Sequence, residues 1–121
     1  MKRREVGLLG EKMARGYLEE RGYVIRQTNY RCREGEADIV AEHNGCLVFV
    51  EVRTKKSLEF GTPEESITPA KMSRMRAVAA RYWQAHDGLP ESYRIDVVAV
   101  ELGQDNKASR IEVIENAVGE A

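Results

Sequence analysis

Asp38 and Glu51 are the residues of this chain best placed to do chemistry. Each lies in a run that reads as a β-strand, residues 36–43 and 46–53, and Asn44-Gly45 separates the two runs. That dipeptide is a strong hairpin signal, because a type I′ turn needs positive φ at both central residues. A two-residue loop there pairs positions whose numbers add to 89. His43 then faces Cys46, Asp38 faces Glu51, and Glu36 faces Arg53. Directly opposed side chains have Cβ atoms about 4.5–5.5 Å apart, and like charges at that separation repel. A purely structural hairpin avoids such a pair, whereas a divalent cation rewards it.

Strand alternation extends the argument to the two faces. Ala37, Ile39 and Ala41, opposite Val52, Val50 and Val48, form an apolar face that belongs in a core. The other face carries Glu36, Asp38, Val40 and Glu42, with Arg53, Glu51, Phe49 and Leu47, and its polar groups gather at the end distant from the turn. Mg²⁺ takes hard oxygen ligands and is usually held by one or two carboxylates together with waters and substrate phosphate. Such an ion, or Mn²⁺ in its place, polarises a phosphoryl oxygen and lowers the pKa of a bound water. A neighbouring cation offsets charge developing on the phosphoryl group. Arg53 is two residues past Glu51 and shares its face, and Lys55 follows if the strand continues.

The elements that must position these groups read as α-β-β-β-α-β-β. Residues 5–21 place Val6, Leu9, Gly10, Met13, Ala14 and Tyr17 on one helical stripe. Residues 23–29 are rich in strand formers, and a short basic connection leads from them into the hairpin. A loop over residues 56–67 ends at Thr68-Pro69, an N-cap followed by proline at the first helical position. That helix runs to about His86, with Met72, Met75, Ala79, Tyr82 and Trp83 inward. Residues 93–101 give a nearly continuous apolar run, as in a strand covered on both faces, and residues 110–115 form a last, weaker strand. The first three strands suit an antiparallel meander. The second helix then returns the chain so that residues 93–101 pair parallel with residues 46–53.

Composition sets the outer limits. The chain has 121 residues, 42% hydrophobic and 32% charged, which suits one globular domain over residues 1–121. No run is apolar and long enough for a membrane span, and no apolar stretch follows the basic first residues as in a secretory signal. Cys32 and Cys46 form no metal-type pair. Free thiols, and hence a cytoplasmic location, are expected. Net charge is −1, but residues 1–86 carry 16 Lys and Arg against 12 Asp and Glu, and residues 87–121 carry 3 against 8. The positive half contains the acidic pair, so a phosphate-bearing partner is expected there.

Several segments, in order along most of the chain, carry a family resemblance. They are Gly10-Glu11, Asn29-Tyr30-Arg31, Gly35-Glu36-Ala37-Asp38-Ile39-Val40 and Leu47-Val48-Phe49-Val50-Glu51-Val52-Arg53-Thr54. Phe60-Gly61-Thr62-Pro63-Glu64-Glu65, Ile67-Thr68-Pro69-Ala70-Lys71 and Arg94-Ile95-Asp96-Val97-Val98-Ala99-Val100 complete the set. Together they resemble the YraN-like family of predicted endonucleases, within the PD-(D/E)xK, restriction-endonuclease-like superfamily and related to archaeal Holliday-junction resolvases. The resemblance implies a restriction-endonuclease-like mixed α/β fold. It also implies Mg²⁺- or Mn²⁺-dependent hydrolysis of phosphodiester bonds in DNA, with branched or otherwise irregular structures as candidate substrates. Asp38 and Glu51 resemble the metal-binding acids, and Glu11 the first-helix acid that helps hold metal or water. Arg53 stands where the superfamily usually has lysine. Arginine stays protonated and cannot act as a general base, so Lys55 is a candidate substitute, and Lys55→Ala is expected to depress cleavage more than Lys56→Ala.

Other residues have plainer expectations. Glu36 is expected to pair with Arg53 rather than to bind metal. Arg31, Arg33, Lys55 and Lys56 are candidate phosphate contacts beside the site. His43 and His86 receive no chemistry, Trp83 and Tyr82 belong to the core, and Asp96 is expected to bond to backbone groups. A resolvase-like enzyme acting on a two-fold junction suits a homodimer. The alternative function is a catalytically weak or inactive nucleic-acid-binding or protein-interaction module with the nuclease fold, which the arginine at position 53 favours.

Overall fold

The computed structural model describes residues 2–57, 59 and 61–118, so Phe60 of the loop motif lies outside the described residues. Its elements are α1 (Arg3–Glu20), β1 (Val24–Cys32), β2 (Gly35–His43), β3 (Cys46–Lys55), α2 (Pro69–Ala85), β4 (Ser92–Leu102) and β5 (Ala108–Ile114), with one 3₁₀ turn at Glu64–Ser66 before α2. The five strands form one sheet in the order β1-β2-β3-β4-β5. Neighbours are antiparallel except β3 and β4, which run parallel through the α2 crossover. This is the mixed α/β architecture expected, consistent with a restriction-endonuclease-like fold. No helix among the described residues is long and apolar enough to cross a membrane.

Local chemistry explains the element ends. Asn44 and Gly45 take φ of 50° and 73° and close the β2–β3 hairpin in the predicted register, with His43 opposite Cys46 and Ile39 opposite Val50. Thr68 caps α2 by accepting the Lys71 N–H at 3.1 Å, and Pro69 opens the helix. β1 continues to Cys32, beyond the predicted residue 29, because the expected connection pairs with β2 as Tyr30–Ala37, Arg31–Glu36 and Cys32–Gly35.

The helices cover opposite faces of the sheet. Ala14 and Leu18 of α1 pack with Ile39, Ala41, Val48, Val50 and Val98. Met75, Val78, Ala79 and Tyr82 of α2 pack with Val40, Leu47, Phe49, Ile95 and Val97. Fully burying a side chain of this kind contributes about 1.5–3 kcal/mol, so both helices are held mainly by their apolar stripes. Tyr17 stays outside the α1 core, and its place is taken by Leu18, which is fully buried.

At one point α1 touches β3 directly. A Cβ on Gly10 would fall 1.8 Å from Thr54 Oγ1. Only glycine allows this approach, and it sets the distance from the next residue, Glu11, to the end of β3.

Candidate active site

The hairpin ladder is regular from the turn to Ile39–Val50. One step further, Asp38 leaves the predicted geometry. Its Oδ2 accepts the Val52 N–H at 2.8 Å. On the other flank of β2, Asn29 takes φ of 51° at the level between the Thr28–Ile39 and Tyr30–Ala37 pairs. The side chains of β2 therefore stop alternating here. Ala37 packs in the cluster beneath α2, while Ile39 lies beneath α1. This corrects the expectation that Ala37 shares a face with Ile39, and that Asp38 simply faces Glu51 on the other side.

Asp38 and Ile39 both line an open cleft of about 190 Å³ on the α1 side, with Leu8, Glu11 and Asn29. Glu51 lies on the α2 side beside Ala37, Phe49, Met75 and Ile95, and only 6% of it is exposed. Asp38 nevertheless feels the charge of Glu51. Burial pushes the Asp38 carboxyl up to about 8, and the Glu51 charge adds to the rise, with smaller contributions from Glu11 and Glu36 against the lowering effect of the Val52 N–H. Burial also raises the Glu51 carboxyl, opposed by the charges of Lys71 and Arg53. Desolvation and a like charge both penalise the ionised form.

Glu11 joins this centre from α1. It borders the Asp38 cleft and also a larger cleft of about 610 Å³, which it shares with Arg3, Arg53, Lys55 and Lys56. The cations at the end of β3 thus sit on the same open surface as the helix acid. Arg53 Nε is 3.8 Å from Glu51 Oε1, too long for a hydrogen bond. It is buried and has no hydrogen-bond partner among the described residues. Glu36 does not pair with Arg53 as expected. It accepts from Arg31 Nε at 3.1 Å and from Asn29 at 3.2 Å, because β1 runs alongside it. Arg31 is therefore engaged at the sheet edge, and Arg33 is exposed just beyond β1.

The donor set fits a hard divalent ion in one respect. It offers two carboxylates whose ionised forms are disfavoured by burial and, at Asp38, by the neighbouring acid, a penalty that a cation would relieve. It is not an all-protein cage. Among the described residues no group of three or more His, Cys, Asp or Glu is assembled to hold a metal. An ion bound by Asp38 and Glu51 would complete its shell with water and phosphate oxygens, which is the usual habit of Mg²⁺.

Comparison with known proteins places the chain. Residues 10–100 match the model of a family described as "Uncharacterised protein family UPF0102". The chain belongs to UPF0102. A UPF0102 protein of Dehalococcoides mccartyi is 48% identical over 118 residues, covering 98% of this chain and 96% of the relative. One from Roseiflexus castenholzii is 47% identical over 122 residues, covering 99% and 98%. One from Caldicellulosiruptor saccharolyticus is 41% identical over 117 residues, covering 97% and 99%.

Two features of this UPF0102 chain escaped sequence reasoning. Lys71 Nζ is 3.5 Å from Glu51 Oε1. The signal was the motif containing it, but nothing local says that the first turn of α2 reaches the end of β3. The second is a polar network around Asp96, which is fully buried. Tyr23 OH, Arg94 Nε and the Asn116 N–H donate to its carboxylate at 2.9–3.0 Å. The Asn116 contact matches the expected backbone bond, while the Tyr23 and Arg94 contacts come from distant or flanking side chains. His43 is part of the same network, with its Nδ1 2.8 Å from Arg94 Nη2 and its ring stacked on Tyr23 at 3.9 Å. His86 lies away from the acids, with Nδ1 2.9 Å from the Tyr82 carbonyl.

Proposed function

We propose that this UPF0102 protein is a divalent-metal-dependent endonuclease that hydrolyses phosphodiester bonds in DNA, with branched or otherwise irregular structures among its substrates. The observation that carries the reading is the placement of two acids, Glu51 buried and Asp38 half-buried, at the end of the hairpin beside a basic cleft. Buried like charges are costly to a fold, and titratable groups perturbed in this way cluster at functional sites.

In the reaction, a water oxygen bonds to phosphorus as the bond to the leaving sugar oxygen breaks. The water gives up a proton and the leaving oxygen gains one. Asp38 and Glu51 would hold Mg²⁺ or Mn²⁺, which polarises the phosphoryl oxygen and acidifies water. Glu11 borders both clefts and accepts a hydrogen bond from the attacking water. Arg53 stays charged and donates to a non-bridging oxygen. Lys55, Lys56, Arg31 and Arg33 take flanking phosphates.

The test is incubation of flap, junction and linear DNA with Mg²⁺ or Mn²⁺, with Asp38→Ala and Glu51→Ala as controls. Metal-dependent cleavage that both substitutions abolish supports the reading. No such cleavage of any substrate would sink it. A second reading, binding without turnover, is favoured by the arginine at position 53 and by the two protein cations already facing Glu51. It predicts DNA binding that weakens steeply with salt, with no product formed.

A further inference from the structure

Lys71 belongs to the motif Ile67-Thr68-Pro69-Ala70-Lys71, to which the reaction above assigns no role. Its backbone is tightly placed. Its N–H is held by the Thr68 cap at 3.1 Å, Pro69 fixes the first helical position, and the Met72 N–H closes the turn on the Thr68 carbonyl at 3.0 Å. From there the ammonium reaches across to Glu51 Oε1 at 3.5 Å. Arg53 Nε faces the same oxygen at 3.8 Å. Both distances exceed the roughly 2.7–2.9 Å of a well-made charge-assisted hydrogen bond. Two cations from different elements thus share one carboxylate oxygen at long range, and one of them has a buried donor without an acceptor among the described residues. Neither cation is fully engaged by Glu51, and both keep donors that an additional anion would fill.

We propose that Lys71 is a catalytic residue that, with Arg53, clamps the scissile phosphate of the nucleic acid, and that it supplies from α2 the lysine missing from the strand motif. The inference rests on the nuclease reading for its catalytic part only. Lysine suits the task because its ammonium rides on a flexible stem and carries three rotatable donors, so it can turn from Glu51 to a phosphate oxygen. It acts as a fixed positive charge and carries no proton in the reaction.

Two measurements on the full chain test this. The first is binding of a fluorescent DNA junction in EDTA over a salt series, for wild type, Lys71→Gln, Lys71→Arg and the surface control Lys107→Ala. Loss of a phosphate contact reduces the slope of log K against log salt by about 0.9. Lys71→Gln is expected to show that loss, while Lys71→Arg and Lys107→Ala keep the wild-type slope. An unchanged slope in a folded Lys71→Gln, with a wild-type melting curve, overturns the proposal, as does absence of wild-type binding at the lowest salt. The second measurement is cleavage in Mn²⁺. Lys71→Gln is expected to lower kcat about 100-fold, with Mn²⁺ affinity by calorimetry within about 3-fold of wild type. Unchanged kcat, where wild type cleaves and Asp38→Ala does not, overturns the catalytic role and leaves the nuclease reading standing. A reduced salt slope without wild-type cleavage overturns the nuclease reading and leaves the phosphate contact standing.

Discussion

The Val52 N–H donates to Asp38 Oδ2 across 2.8 Å, so the acid assigned to chemistry is also a structural partner of the adjacent strand. The bond holds Asp38 where the hairpin ladder stops, and it partly offsets the cost of burying a carboxylate beside Glu51. Asp38 has its pKa raised from 3.8 to about 8. A group whose folded pKa is raised contributes stability that is fully present below its unfolded pKa and is lost as pH rises through the folded value. The metal-free protein should therefore lose thermal stability between about pH 4 and about pH 8. Asp38→Asn, which keeps an acceptor for the Val52 N–H, should flatten that loss. Melting curves in EDTA across this range provide the check, and parallel pH profiles for the two proteins would contradict it.

The same raised pKa links metal uptake to proton release, because a carboxylic acid must ionise before it coordinates. Near pH 7, binding of Mn²⁺ should expel a proton from wild type and not from Asp38→Asn. Calorimetric titration in buffers of different ionisation enthalpy reads this directly. Equal buffer dependence in the two proteins would remove Asp38 from the metal site.

Gly10 offers a steric test. Alanine there would collide with Thr54 and push α1 off β3. We expect Gly10→Ala to cost about 1–3 kcal/mol, typical of overpacking, and to weaken any cleavage by moving Glu11. Gly16, in the same helix, has nothing within 4 Å of an added Cβ. Gly16→Ala should gain up to about 1 kcal/mol from helix propensity alone. Urea unfolding of both variants distinguishes contact from propensity.

Asp96 should matter for stability rather than for cleavage. Removing its carboxylate takes the acceptor from the buried Tyr23 hydroxyl and leaves Arg94, which is 17% exposed, with Glu115 at 3.7 Å as its remaining anion among the described residues. Breaking a buried pair in this way costs about 3–5 kcal/mol. Asp96→Ala should unfold at markedly lower urea. Any folded fraction should bind Mn²⁺ as wild type does.

Much of this arrangement is readable from local sequence. Asn44-Gly45 specifies the hairpin and its register, Thr68-Pro69 marks the start of α2, and the apolar run after Arg94 indicates a strand between two layers. The site is legible only in part. Period-two alternation places Asp38 opposite Glu51, but that extrapolation assumes an unbroken pleat. The pleat breaks at Asp38, where a carboxylate replaces the next ladder contact and Asn29 takes a left-handed conformation. Ala37 changes sides as a result, and Glu36 finds Arg31 instead of Arg53. Lys71 and the Tyr23–Arg94–Asp96 network depend on how separate elements pack, which no local pattern encodes.

β1 forms one border of the sheet, and its register shifts between Ile25 and Gln27 before Asn29 distorts it again. Arg26 and Arg31 project from it, salt-bridged to Glu42 and Glu36. A strand so kinked and charged is a poor template for a further strand. Growth of the sheet across that border is thereby disfavoured, which guards against fibre-like stacking.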